Sequence, residues 1–98
     1  MAEVRWTAQA ADDLESIAEF IARDSPQYAR LFVLDVLQAV ERLAPFPMSG
    51  RTVPELSDPM IREVLLGAYR IVYRVREELV EVLTVYHGAR LLDPGSLP

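Results

Sequence analysis

Four prolines within seventeen residues, Pro45, Pro47, Pro54 and Pro59, divide this chain into halves that cannot share one secondary structure. Proline offers no backbone N–H and fixes its own φ, so neither a helix nor a central strand runs through residues 45–61. Before this segment, apolar side chains recur at helical spacing. After it, they alternate. The pattern predicts an α+β fold in the order β-α-α-β-β-β: an N-terminal strand, then an antiparallel helical hairpin packed on a small, mainly antiparallel sheet. The expected divisions are a hairpin over about 8–44, a proline-rich loop over 45–61 that crosses the domain, a sheet over 62–87, and a tail over 91–98 that frays. The chain has 98 residues, of which 51% are hydrophobic, enough for one core and one domain spanning 1–98.

Local signals fill in the elements. "EVRW" (3–6) alternates as a short strand with Val4 and Trp6 on one face. Thr7 is placed to cap a helix from about Ala8 to Arg23, and Asp12 and Asp13 read as favourable charges near its positive end. In "DSPQ" (24–27), Ser25 reads as a second cap and Pro26 as a first helical residue, beginning a helix that reaches about Ala44. Three strands are expected at about 62–66, 69–76 and 79–86. The connections Gly67-Ala68 and Glu77-Glu78 have hairpin length, although glutamate suits positive φ poorly and argues for a longer second turn. "SG" at 49–50, with Arg51, reads as a turn.

Charge narrows the function classes. The formal net charge is −5 and the pI about 4.8, the wrong sign for a generic nucleic-acid binder. Every basic residue is arginine, and there is no lysine to tune as an acid or base. Without cysteine, disulfides and thiolate metal sites are excluded. No metal site, cofactor, membrane span or export leader is expected, and the expected location is the cytoplasm. There is also no DNA-reading element, so no direct sequence-specific nucleic-acid contact is expected.

The chemistry concentrates in "YRIVYRVREELVEVLTVYHGAR" (69–90). Alternation sends Tyr69, Ile71, Tyr73 and Val75 toward the helices and Arg70, Val72, Arg74 and Arg76 the other way. The expectation is a solvent-facing row of guanidinium groups. Such a row either keeps a sheet face soluble or docks something acidic. His87 is the only histidine. With Tyr86 it closes the last strand, where adjacent side chains face opposite ways.

Several stretches together carry a resemblance: "VRWTAQAADDLESIAEFIARDSPQYARLFV", "LAPFPMSGRTVPEL", "IREVLLGAYRIVYRV" and "VLTVYHGAR". From about Val4 to Arg90 the chain resembles the ParE branch of the ParE/RelE toxin superfamily of bacterial type II toxin–antitoxin modules. The turn of Phe46, Pro47, Ser49, Gly50 and Arg51 and the terminal "HGAR" are its specific marks. The resemblance implies a toxin that inhibits DNA gyrase and is silenced when the C-terminal segment of a cognate antitoxin wraps around it. In that frame Arg70, Arg74 and Arg76 are the expected antitoxin contacts, and His87 and Arg90 the expected target contacts. No catalytic residue is expected. RelE-like relatives instead cut mRNA in the ribosomal A site; by that alternative Arg70, Tyr86 and His87 carry the chemistry, although the family's catalytic lysines have no match here. A third reading is an inactive toxin fold kept as an antitoxin-binding module.

Overall fold

A computed structural model describes all residues, 1–98. The elements follow the expected order: β1 (Glu3–Trp6), α1 (Ala8–Ala22), α2 (Pro26–Glu41), β2 (Arg51–Thr52), β3 (Ile61–Leu66), β4 (Tyr69–Arg76) and β5 (Leu79–His87), then a 3₁₀ turn at Pro94–Ser96. One sheet holds all five strands in the order β1-β5-β4-β3-β2. Its pairs are antiparallel except β1 with β5, which is parallel; the helical hairpin and strands β2, β3 and β4 all lie between these two in sequence. The two-residue β2 lies inside the stretch expected to be loop, beyond Pro47 and before Pro54, where no proline blocks pairing.

Both helices begin where local chemistry places them. The Thr7 hydroxyl accepts from the Ala10 N–H at 3.1 Å and donates to the Val82 carbonyl at 2.8 Å, tying the start of α1 to β5. Ser25 accepts from the Tyr28 N–H at 3.2 Å, with Pro26 in the first turn. Helix α2 ends at Glu41, three residues short of the expected Ala44. Asp13 is not a first-turn charge. It lies in the second turn of α1 and reaches β5, accepting from the Thr84 hydroxyl and from the Val85 N–H at 3.4 Å. The second hairpin turn is no longer than the first, and Glu77 takes φ 48° to close it, as Gly67 does at φ 57°.

The sheet is covered on both faces. On one, Ile71, Val82 and Val85 pack with Ala10, Val36, Ala39 and Val40 of the helices. The step from Val82 to Val85 is three residues because β5 carries an extra residue opposite the Val72–Tyr73 junction, a bulge. On the other face, Val72 and Leu83 pack with Val53, Ile61 and Leu92. These last three come from the proline-rich loop, the start of β3 and the tail. The tail is therefore not frayed: it buries Leu92, and Leu97 packs at the margin of the same cluster.

The Phe46–Arg51 turn is stitched to this frame. Tyr73, fully buried, donates its hydroxyl to the Pro47 carbonyl at 2.7 Å and accepts from the Gly50 N–H at 3.0 Å. Burial pushes the Tyr73 phenol up from its ordinary pKa. A Cβ on Gly50 would meet the Glu63 carbonyl oxygen and the Tyr73 hydroxyl, both at 2.6 Å, so only glycine fits. Tyr73→Phe leaves a carbonyl and an N–H unpaired and is expected to cost about 1–3 kcal/mol in urea unfolding. Gly50→Ala is expected to cost more than Tyr73→Phe, because its clash is with backbone; the reverse order in the same experiment contradicts this account of the turn.

Candidate interaction site and its arginine core

The expected row of solvent-facing arginines does not exist as a row. Arg70 is buried, with 6% of its surface exposed, because the proline-rich loop and the tail cover the sheet face it occupies. Its Nε donates to Glu63 at 2.6 Å, and its two terminal nitrogens fork onto Glu55 at 2.7 and 2.6 Å. A further, longer bond runs to the Arg90 carbonyl at 3.4 Å. Glu63, 1% exposed, is gripped from its other side by Arg51 at 2.6 Å. Glu55 also accepts from the Leu92 N–H at 2.9 Å, so one carboxylate holds both the buried guanidinium and the tail.

The strand register explains part of this cluster. Leu66 faces Tyr69 across the Gly67-Ala68 turn, Leu65 faces Arg70, and Glu63 faces Val72. Glu63 is thus the diagonal neighbour of Arg70 on the same sheet face. Tyr86 is directly opposite Arg70 on β5, and the guanidinium carbon lies 5.0 Å from its ring centroid. The Tyr86 hydroxyl is buried without a hydrogen-bond partner. Burial pushes its pKa up to about 12, against the pull of Arg70. The Arg70 fork holds the Glu55 carboxyl down at about 2, and Glu55 in turn raises Arg70.

The remaining candidates are dispersed. Arg74 is half-buried, pairs with Glu81 at 3.1 Å and donates to the Pro98 carbonyl. Arg76 is exposed at the end of β4. His87 is exposed; its ring meets Tyr69 edge-on at 5.3 Å, and its Nδ1 accepts from the Ala89 N–H at 3.1 Å. Arg90 is exposed beside Leu91, which is 86% exposed. The fold therefore joins Arg70 to Tyr86 and leaves His87 outside that contact. Glu55 and Glu63 were not singled out from sequence, and Arg51 was named only as part of a turn. Glu63 could have been found from the turn at 67–68, which sets the pairing; Glu55 sits in the proline-rich loop, where no periodicity signals a partner.

Comparison with known proteins follows the same lines. The family described as "ParE toxin of type II toxin-antitoxin system, parDE" matches residues 4–92. The chain is 37% identical over 92 residues to "Toxin RelE2" of Caulobacter vibrioides, covering 93% of this chain and 100% of that protein. It is 38% identical over 87 residues to "Putative toxin Y4kP" of Sinorhizobium fredii, covering 87% and 86%. A solved structure described as "Chromosomal ParDE TA system from P. aeruginosa" superposes with a TM-score of 0.73 at 24% identity, over 89% of this chain and 96% of that one, and shares the fold.

The cluster makes a pH prediction. The folded pKa of Glu55, about 2, lies below the ordinary carboxylate value of 4.5. Its stabilisation is therefore full above about pH 4.5 and fades as pH falls toward 2. After allowance for solvent screening of a half-buried group, about 2 kcal/mol of stability is expected to disappear across that window. Glu55→Gln flattens this part of the stability–pH curve. An unchanged curve in denaturant titrations at pH 6, 4 and 2.5 contradicts the assignment.

Proposed function

This chain belongs to the ParE toxin family of type II toxin–antitoxin systems, and from that membership we propose that its free form poisons DNA gyrase and that its cognate antitoxin silences it by direct binding. The observation that carries the choice of target is the state of Arg70. A ribosome-dependent nuclease built on Arg70, Tyr86 and His87 requires that arginine to hold a phosphate. Here all of its carboxylate-directed donors already face Glu55 and Glu63. A phosphate would have to displace two carboxylates in a shielded site and then sit beside their charges. The absence of lysine and the net charge of −5 weigh the same way, since ribosomal RNA repels an acidic surface.

The antitoxin contacts divide accordingly. Arg76, exposed, and Arg74, half-buried, are the two arginines of β4 that a partner can reach. Arg70 supports the fold beneath them. Paired charges at such a rim set association rate and specificity more than affinity. His87 and Arg90 remain the proposed target contacts, on a turn whose backbone is fixed at both ends: the Gly88 N–H donates to the Ala68 carbonyl at 2.7 Å and the Leu92 N–H to Glu55.

Free chain added to gyrase and supercoiled plasmid is expected to accumulate cleaved, linear DNA, and equimolar antitoxin is expected to abolish the effect. Growth arrest without a gyrase effect, accompanied by mRNA cut at ribosomes, overturns the target. Arg76→Glu is expected to slow antitoxin association severalfold at low salt while leaving thermal stability unchanged. An association rate equal to that of the parent chain removes Arg76 from the interface.

A further inference from the structure

The sheet is open along β3, beyond its short pairing with β2. Strand β2 pairs with β3 only through Arg51 opposite Glu63 and Thr52 opposite Arg62. On the N-terminal side of Arg51 the chain leaves the sheet for the 46–50 turn, which Tyr73 and Arg62 hold away: Arg62 donates to the Gly50 carbonyl at 2.9 Å and to that of Met48 at 3.3 Å. Strand β3 runs on to Leu66 without a neighbour on that side.

In an antiparallel ladder, successive residues point their backbone groups to opposite sides. Leu66 and Tyr69 close the two-residue turn and bond each other, so Val64 also bonds toward β4. Leu65, between them, turns its N–H and C=O outward, and neither finds a partner in a turn, loop or cap. Its side chain is 52% exposed. Protein edges of this kind are normally blunted by charge, proline or a bulge. Here the edge residues are Val64, Leu65 and Leu66, all apolar.

Beside this edge lies an open groove of about 290 Å³. Ala39 and Leu43, from α2 and just beyond it, and Val64 supply apolar lining, and Arg42 and Arg51 supply cations. Arg42 has no carboxylate partner within the chain. The one acid lining the groove, Glu63, is buried and already neutralised by Arg51 and Arg70.

We propose that this edge takes a short, extended, acidic segment of the antitoxin as an added strand on β3. The segment's backbone bonds Leu65, an apolar side chain enters the groove, and its carboxylates meet Arg42 and Arg51. The proposal rests on the toxin reading, and deepens it by naming the docking mode and the chemistry of the docked segment. The arginines select the occupant: a second copy of the same edge brings Val64, Leu65 and Leu66, and its one acid, Glu63, is buried and already paired with Arg51 and Arg70.

Amide hydrogen exchange at Leu65 tests this in the unmodified chain, free and bound to its antitoxin. Fast exchange is expected in the free chain, with roughly hundredfold protection in the complex. Two variants follow. The Leu65 N–H lies outside the β3–β4 ladder, so Leu65→Pro deletes only the outward donor. Leu65→Pro and Arg42→Glu are each expected to weaken antitoxin binding tenfold or more. A tight complex in which Leu65 exchanges as in the free chain overturns the edge proposal and leaves the toxin reading standing. Protection that appears in the free chain with rising concentration assigns the edge to a second copy and also overturns it. Failure of the chain to bind the antitoxin at all defeats the toxin reading, and the edge proposal with it.

Discussion

The guanidinium of Arg70 lies inside the protein, and most of the rest of the second sheet face follows from the need to neutralise it. A buried cation is tolerable only when paired and hydrogen-bonded. Glu63 supplies one partner from the neighbouring strand through Oε1, but it is itself buried and its other oxygen also needs a donor. Arg51 answers it, and this fixes the short β2 against β3. Glu55 supplies the second partner from the proline-rich loop and binds the tail through Leu92. Four charges on four segments thus specify where a loop and a tail must lie. Such a cluster is weak as a net source of stability, because desolvation offsets most of the attraction. Its effect is on arrangement: removing Glu55, Glu63 or Arg70 leaves a buried or half-buried charge short of a partner, so loop and tail cannot shift independently.

That arrangement lets a chain of this size cover both faces of its sheet. The helical hairpin covers one face by ordinary apolar packing of Val36, Val40 and Ala10 on Ile71, Val82 and Val85. The other face is closed by irregular chain, which has no periodic stripe to offer and contributes Val53 and Leu92 singly. Prolines suit this role. They limit the conformations open to residues 45–61 in the unfolded chain, so ordering a long connection loses less entropy.

The parts of this fold that rest on neighbours in sequence were legible, and those that rest on distant partners were not. Caps at Thr7 and Ser25-Pro26 and the alternation of β4 and β5 are local chemistry, and they appear where the residues place them. The Glu77 turn differs because two strands closing over it impose a positive φ that glutamate does not seek. Alternation correctly put Arg70 and Val72 on the face opposite Ile71. It carried no information about what covers that face, and so buried and exposed arginines looked alike. Val53, Glu55 and Leu92 supply the cover from fifteen or more residues away, across loops without period. Gly50 looked like an ordinary turn glycine because the atoms that exclude a Cβ belong to Glu63 and Tyr73.

The same burial redistributes the charge available to partners. With Arg70 inside and Arg51 and Arg74 half committed to Glu63 and Glu81, the cations left without a carboxylate include Arg42, Arg76 and Arg90. They do not form a stripe of the kind that follows a phosphate backbone. Arg42 flanks the open edge of β3, Arg76 ends β4, and Arg90 stands on the tail turn beside an exposed leucine. Isolated cations set next to apolar surface suit protein partners, whose acids can meet them singly while apolar side chains supply the area. On the proposed reading, because these cations stand on different elements, antitoxin and target need not compete for the same residues, and neutralisation would come from occupying one part of the surface while the bulk of the bound chain shields another.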